Sequence, residues 1–543
     1  MSLREKRFIG GQLGVALLAL AIGTLIGPLQ AFEHADLNLY PFLVPFIRSY
    51  YQGLTLHGVL NALVFTTLFI TGFQTFAVLK GLNRPLRWFN LGLAGFIAML
   101  VGMVLAGYTM LTNKASVLYT FYTPMKASPW FYIGLTVLVV GSWMVGWSQF
   151  ATLAAWRKEN PGVRTPLIAF GAVVNALLWQ LATLGIAAQM LVLVIPWALN
   201  LVPATDAMLS RTLFWFTGHP LVYFWLLPAY VSWYGMLPKQ VGGKLFSDPL
   251  ARLAFWSFLV LSTPVGFHHQ FADPGVPVVW KYIHTLLTFL VVIPSMMTAF
   301  TVIASLERAG RKNGGTGLFG WIKYLNWRNP SVAAQLLAGV TFFTGGVTGV
   351  INASASLNLV IHNTVWIPAH FHSTVATAST LSFMGISFWL IPHLMKKDLS
   401  QPKVALASAW TWFVGMLVFM TGMYWLGLLG VPRRVPLATA TYAQPSWDIP
   451  GMITAIGGAI LLVAAVMYFV VILGTVFSKK APVAVPEVPV AEPEVPATRT
   501  PAWLDNYKLW ILISVVLVII GYGPILINMF ANINLTAPGF KVW

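Results

Sequence analysis

An all-α bundle of about thirteen membrane-crossing helices is the fold this sequence predicts, and three observations predict it. The 543 residues are 58% hydrophobic and only 8% charged, far from the composition of a soluble domain. Thirteen apolar stretches are each long enough to cross about 30 Å of hydrocarbon at about 1.5 Å per residue. Basic residues gather in alternate connecting segments, as they do in cytoplasmic loops.

The stretches run from about 10 to 32, 53 to 79, 88 to 112, 130 to 155, 166 to 195, 209 to 237, 252 to 272, 279 to 306, 331 to 353, 359 to 395, 403 to 430, 449 to 478 and 509 to 532. The first runs past signal-peptide length without a cleavage site, so it is expected to remain as span one. With the N-terminus in the cytoplasm, the inner segments hold 24 of the 32 basic residues; the eight outer ones are Arg48, Lys114, Lys126, Arg211, Lys281, Arg433, Arg434 and Lys541. The net charge of +18 therefore reflects membrane orientation, and a nucleic-acid partner is not expected. An odd number of spans places the C-terminus outside. The chain reads as a single domain over residues 1–543, with one low-complexity run, residues 482–501, as a Pro-rich cytoplasmic linker before the last span. With no cysteine, the chain forms no disulfide, iron–sulfur cluster or thiolate-bound copper site.

An ionisable residue deep in a span is a functional candidate because hydrocarbon penalises it. Of the ten histidines, six (His57, His219, His268, His269, His370 and His372) fall in the outer halves of spans two, six, seven and ten. His284 and His362 lie near outer span ends, and His284 reads as a core histidine bonded to backbone. Neutral imidazole suits copper and heme iron alike. At about 100° per residue, His370 and His372 leave one helix about 200° apart, so that helix can serve two centres, one on each flank. His219 and Tyr223 are four apart and share a face. Adjacent His268 and His269 can reach one metal only where the backbone unwinds, as at a span end.

All fourteen acidic residues fall in loops or at span ends, so proton relay through the membrane needs hydroxyls and water. Tyr223, Tyr230 and Tyr234, spaced by seven and four, point within about 40° of one another and extend about 16 Å along span six. Their stripe leads toward the inner loop that carries Ser247. On span eight, Ser295 and Thr298 are three apart on one face.

The segments Gly218-His219-Pro220-Leu221-Val222-Tyr223, His268-His269-Gln270-Phe271-Ala272-Asp273-Pro274-Gly275 and His362-Asn363-Thr364-Val365-Trp366-Ile367-Pro368-Ala369-His370-Phe371-His372 resemble subunit I of the heme–copper oxidases. The resemblance is to the B-type, ba-type branch and extends over nearly the whole chain, including Tyr50 to Gly58 and Leu429 to Arg434. It implies a proton-pumping terminal oxidase that reduces dioxygen to water, with two hemes and one copper ion. His57 and His372 would be the axial ligands of the low-spin heme, expected to be of b type. His370 would hold the high-spin heme, of a or o type, facing a copper on His219, His268 and His269. Ligand identity does not separate heme types, because a, b and o hemes share histidine ligation. Tyr223, linked to His219, would supply an electron and a proton. Arg433 and Arg434 would pair with heme propionates, near His362 and Asn358; B-type relatives carry Asp where this chain has Asn358. Tyr230, Tyr234, Ser247, Ser295 and Thr298 match hydroxyl residues of the single proton channel in that branch. Implied partners are a subunit II with a dinuclear copper site, a further small membrane subunit, and cytochrome c as donor, with quinol as the alternative. The expected location is a bacterial or archaeal cytoplasmic membrane.

Two other classes compete. A secondary transporter would explain thirteen spans but not the histidines. A nitric oxide reductase of the same superfamily would share them, but its non-heme iron favours added carboxylate ligation, and no carboxylate lies in a span. The A-type branch commonly carries Glu, the end of a second proton channel, where this chain has Leu221.

Overall fold

The computed structural model describes residues 1–479 and 487–543. Backbone groups in hydrocarbon have to be satisfied within the chain, which makes helices the only open-ended solution. Among the described residues twelve helical segments are long and apolar enough to cross a membrane. Spans one to five are Leu3–Ala35, Tyr50–Leu82, Phe89–Leu111, Pro129–Glu159 and Leu167–Ala198. Spans seven to thirteen are Asp248–Gln270, Val278–Lys312, Pro330–Ala353, Trp366–Met395, Pro402–Leu428, Pro445–Phe477 and Tyr507–Ala531. A further long helix, Ala207–Gly235, occupies the place of span six. It is less apolar than the rest because it carries Arg211, His219, Tyr223, Tyr230, Tyr234 and two internal prolines, Pro220 and Pro228. It nevertheless packs among them: Trp179 of span five stacks on Phe224 at 4.1 Å, and Thr217 donates to the Ala182 carbonyl at 2.8 Å.

The ends are set by local chemistry. Ser2 and Glu5 close a capping box on span one, and Glu5 also accepts from the Leu86 amide at 2.8 Å, which ties the N-terminus to the loop after span two. Prolines 129, 330 and 402 open their helices, where the missing N–H costs nothing. At the opposite end, the C-terminal tail pairs Phe540 with Met125 and Ala537 with Thr205, joining the loops that follow spans three and five. The chain termini therefore lie on opposite faces, as an odd number of spans requires.

Several spans are less regular than their periodicity predicts. Span ten, expected from residue 359, begins at Trp366: Ala355–Ile361 is a separate short helix, and Asn363 in a left-handed conformation (φ 59°) turns the chain. Regular helix in span seven stops at Ser262, and the chain re-forms only as a single 3-10 turn, Phe267–Gln270. Spans two, five and ten contain π-helical stretches, Val59–Phe65, Gln189–Val194 and Thr374–Ser379. Of the Pro-rich run, residues 482–486 lie outside the described residues. Beyond them the chain docks on the inner face, where Leu245 bridges to Pro493 and Thr500 donates to Asp248 at 2.6 Å.

That inner face is fastened by a buried ion cluster. Arg252 has no exposed surface; it bonds Asp248 at 2.7 Å, Asp505 at 3.1 Å and the Thr165 carbonyl at 2.6 Å. One side chain thus joins span seven, the segment before span thirteen and the start of span five. Arg252→Met, which leaves buried carboxylates short of a partner, is expected to cost about 3–5 kcal/mol. Arg311→Met, at an ion pair with 43% and 36% exposed partners, is expected to cost under about 1 kcal/mol. Thermal midpoints of the two purified variants check this, and equal shifts would contradict it.

Candidate metal centre

The six membrane histidines converge on one cavity of about 1060 Å³, which they line together with Tyr223, Arg433 and Arg434. That exceeds the space a single drug-sized ligand takes, about 300–1,000 Å³. Two separate groupings lie within it.

The first is His57 of span two and His372 of span ten. Their rings are nearly parallel, 9° apart, with centroids separated by 6.2 Å. One ion bonded at about 2.0 Å to a nitrogen of each ring fits between them. The outer nitrogens are already committed: His57 Nδ1 donates to the Gly23 carbonyl at 2.8 Å and His372 Nδ1 to the Pro368 carbonyl at 2.7 Å. Each ring is left with its Nε2 lone pair free, the arrangement of an oriented metal ligand. Span one approaches closely through Gly27, where a Cβ would stand 3.0 Å from His57 Cε1. The π-helical stretches of spans two and ten begin two residues after each of these histidines, in keeping with the enrichment of π-bulges at functional sites.

The second grouping is His219, His268 and His269, whose ligand nitrogens all lie within 4.8 Å of one another. His219 Nε2 and His269 Nε2 are buried and without a hydrogen-bond partner. His268 Nδ1 donates to Thr288 Oγ1 at 3.0 Å, which frees its Nε2. Three clustered imidazoles, two of them with orphaned Nε2 atoms, and no carboxylate suit a copper ion. The adjacent pair manages this because it sits on the 3-10 turn, as the unwinding argument expected. Trp215 stacks on His269 at 3.9 Å and 6°, holding its plane. Tyr223 lies one turn from His219, with ring centroids 5.1 Å apart.

His370 faces away from His372, as the two-residue spacing predicts. Its Nδ1 donates to Thr348 Oγ1 of span nine at 3.0 Å, again leaving Nε2 free. A Cβ at Gly349 would stand 3.2 Å from His370 Cε1, so span nine leaves room beside that ring. His284, read as a core histidine, is fully buried and bonded to backbone on both nitrogens.

At the outer end, Arg433 and Arg434 follow span eleven. Both Nε atoms are buried without a partner. Arg433 reaches Asn363 Oδ1 at 3.0 Å and Arg434 lies over Tyr119 at 5.1 Å. Burial pushes the Arg433 guanidinium down to about 10, and two guanidiniums here fit a dianionic group such as heme propionates. His362, expected at a span end, lies in the turn before span ten, with its Nδ1 3.1 Å from Asn358 Oδ1. Asn358 in turn donates to Asn352 at 2.8 Å.

Tyr223, Tyr230, Ser295 and Thr298 line the inward extension of the same cavity. Tyr234 donates to Thr298 Oγ1 at 2.6 Å, while Tyr230 Oη is buried without a partner. Ser247 caps span seven, accepting from the Leu250 amide at 3.3 Å. The sequence reading missed Thr301, whose hydroxyl is buried and unpartnered, and Ser305, which accepts from the Phe246 amide at 2.9 Å. Both continue the stripe of Ser295 and Thr298 at steps of three and four, a signal present in the sequence.

Comparison with known proteins places a fold of this kind among the catalytic subunits of heme–copper oxidases. The family described as cytochrome c and quinol oxidase polypeptide I matches residues 9–460, and the chain belongs to that family. It is 45% identical, over 99% of its length and 97% of the relative's, to cytochrome c oxidase subunit 1 of Thermus thermophilus. A probable cytochrome c oxidase subunit 1-beta of Nocardia farcinica is 27% identical, covering 78% of this chain and 72% of that one. A solved heme–copper terminal oxidase dimer superposes with a TM-score of 0.91 at 36% identity, covering 99% of this chain and 94% of that one. The chain is a subunit I of a heme–copper oxidase, a multi-pass membrane oxidoreductase.

Because the two groupings use different side chains, they are expected to be lost separately. His372→Ala should abolish the low-spin heme spectrum of the purified complex, while His219→Ala should empty the three-histidine site and leave that spectrum intact. Loss of both by either variant would contradict two independent centres.

Proposed function

We propose that this subunit reduces dioxygen to water at a heme–copper pair and couples the reaction to proton pumping. On this reading His57 and His372 hold a low-spin heme of b type, His370 holds a high-spin heme of a or o type, and His219, His268 and His269 hold one copper ion. When bound, these groups supply electron transfer and the site at which dioxygen is reduced. The observation that carries the reading is the trio of clustered imidazoles, His219 and His268 buried and His269 half-buried, two with buried unpartnered Nε2 atoms, across one cavity from His370.

Tyr223 holds a proton on Oη beside that trio, where an O–O bond would break, and it is positioned to release it with an electron. Its spacing from His219 also permits a covalent link between the two side chains. Protons reach it from the inner face along Tyr230, Tyr234, Ser295 and Thr298, with Ser247 near the entrance and water filling the gaps. The hydrogen bond from Tyr234 to Thr298 supports this route. At the outer end, Arg433 and Arg434 neutralise propionates. His362 and Asn358 lie beside them; an amide takes up no proton near neutral pH, so release there falls to propionates, His362 and water.

The residues that line the described cavity include no carboxylate, which favours dioxygen over nitric oxide chemistry. Cytochrome c, named in relatives, is the proposed donor, with electrons entering through a subunit II that carries a dinuclear copper site. A further small membrane subunit completes the complex in a bacterial or archaeal cytoplasmic membrane.

Tyr223→Phe tests the reading. It should retain both hemes and copper yet lower oxygen consumption by about 10²-fold or more, the usual scale for a proton donor acting in the chemical step. Thr298→Val should also keep all three cofactors but slow proton uptake, followed by stopped flow with a pH dye. Parental oxygen consumption by the Phe variant, or parental proton uptake by the Val variant, would refute the corresponding role.

A further inference from the structure

The turn that carries His268 and His269 interrupts span seven inside the membrane, where each freed backbone amide needs a partner that water does not supply. Regular helix ends at Ser262, Pro264 follows, and the amides of Gly266, which caps the 3-10 turn, and of Phe267, its first residue, have no carbonyl partner within a helix. Both point at one atom. His284 Nδ1, on span eight, lies 3.0 Å from the Gly266 nitrogen and 3.3 Å from the Phe267 nitrogen, and its lone pair accepts from both. His284 Nε2 donates to the Gly521 carbonyl of span thirteen at 3.0 Å. Acceptor on one side and donor on the other, the ring is fixed in a single neutral tautomer.

The residues around His284 act on the same turn. Lys281 donates to the carbonyls of Phe271 at 2.8 Å and Asp273 at 2.7 Å, closing the turn from its far side. Thr288 Oγ1 accepts from His268 Nδ1 at 3.0 Å and donates to the His284 carbonyl at 2.6 Å. Lys281, His284 and Thr288 are spaced by three and four, so one face of span eight grips the start, the end and a side chain of the turn. The backing is tight: a Cβ at Gly266 would stand 2.1 Å from Tyr522 Oη and 2.6 Å from the Trp215 carbonyl. The His284 ring itself packs on Phe267 at 4.3 Å and on Tyr522 at 5.1 Å.

We propose that His284 is a positioning residue for the copper site: it bonds the two amides that precede His268 and His269 and so sets where those two imidazoles aim. The proposal rests on the reading of His219, His268 and His269 as the copper ligands. It assigns His284 no contact with the metal. Its nitrogens are both occupied by backbone, so it acts only through the turn.

Three substitutions in the purified oxidase complex test it, read as copper retained per heme in a chelator titration. His284→Phe keeps the ring volume and removes both bonds, and is expected to weaken copper retention about tenfold or more, the scale of lost outer-shell partners, with an unchanged low-spin heme spectrum. His284→Asn places an acceptor oxygen where Nδ1 stands and should restore most of that loss. His284→Gln carries its polar atoms one bond further and should not. Parental retention by the Phe variant overturns the proposal. If the Phe variant does not assemble, the Asn and Gln variants decide: tighter copper in Asn supports the proposal, and equal retention overturns it. His219→Ala separates the two claims, because copper retained there would overturn the ligand assignment itself.

Discussion

A polar group placed in hydrocarbon is costly unless it is bonded inside the chain, and the bonded histidine nitrogens at the centre of this molecule are organised around that demand. His57, His268, His370 and His372 each give their Nδ1 hydrogen to a carbonyl or hydroxyl. Their Nε2 atoms are thereby turned, as neutral acceptors, into the shared cavity. The same bonds that satisfy the polar atoms fix the ring planes. A hydrated histidine would need no such arrangement and would gain no such aim.

The irregularities of the spans follow from the same demand. A straight helix cannot direct two adjacent histidines at one point, so span seven gives up its regular form, and span eight then supplies the missing partners through Lys281, His284 and Thr288. Spans two and ten keep their helices but widen into π turns just beyond His57 and His372. Span six, which carries His219 and the tyrosines, is the least apolar of the long helices. It is sheltered by spans five, seven and ten rather than by lipid, with Asn175 donating to the Phe224 carbonyl at 3.1 Å and Trp233 to Ser382 at 3.1 Å. Charged clusters are confined to the two faces, Arg252 with Asp248 and Asp505 inside and Arg433 with Arg434 outside.

Much of this was legible in the sequence because membrane folds obey one-dimensional rules. The apolar stretches of the sequence correspond to the twelve candidate spans and the helix Ala207–Gly235, with span ten starting well inside its expected bounds, and the spacing of His370 and His372 accounts for the opposed directions found in the helix Trp366–Ser373. The unwinding at His268 and His269 was open to expectation from their adjacency and their place at a span end, if both reach one metal. What periodicity could not show was where a span breaks: Asn363 and its left-handed turn hide inside an apolar run that reads as continuous helix. Nor could it show that His284, correctly read as bonded to backbone, bonds the turn of the histidine pair, since that contact joins residues 18 positions apart across a loop. Thr301 and Ser305 lie at helical spacing from Ser295 and Thr298, a pattern the sequence itself displays.

On the proposed assignment, one copper and two heme irons occupy positions set by these six imidazoles. Anomalous X-ray diffraction from crystals of the assembled oxidase, recorded across the copper and iron edges, tests it most directly. A copper peak within bonding distance of His219, His268 and His269 is predicted, with one iron peak between His57 and His372 and a second beside His370. Iron in place of copper at the three-histidine site, or a single iron peak in the subunit, would contradict it.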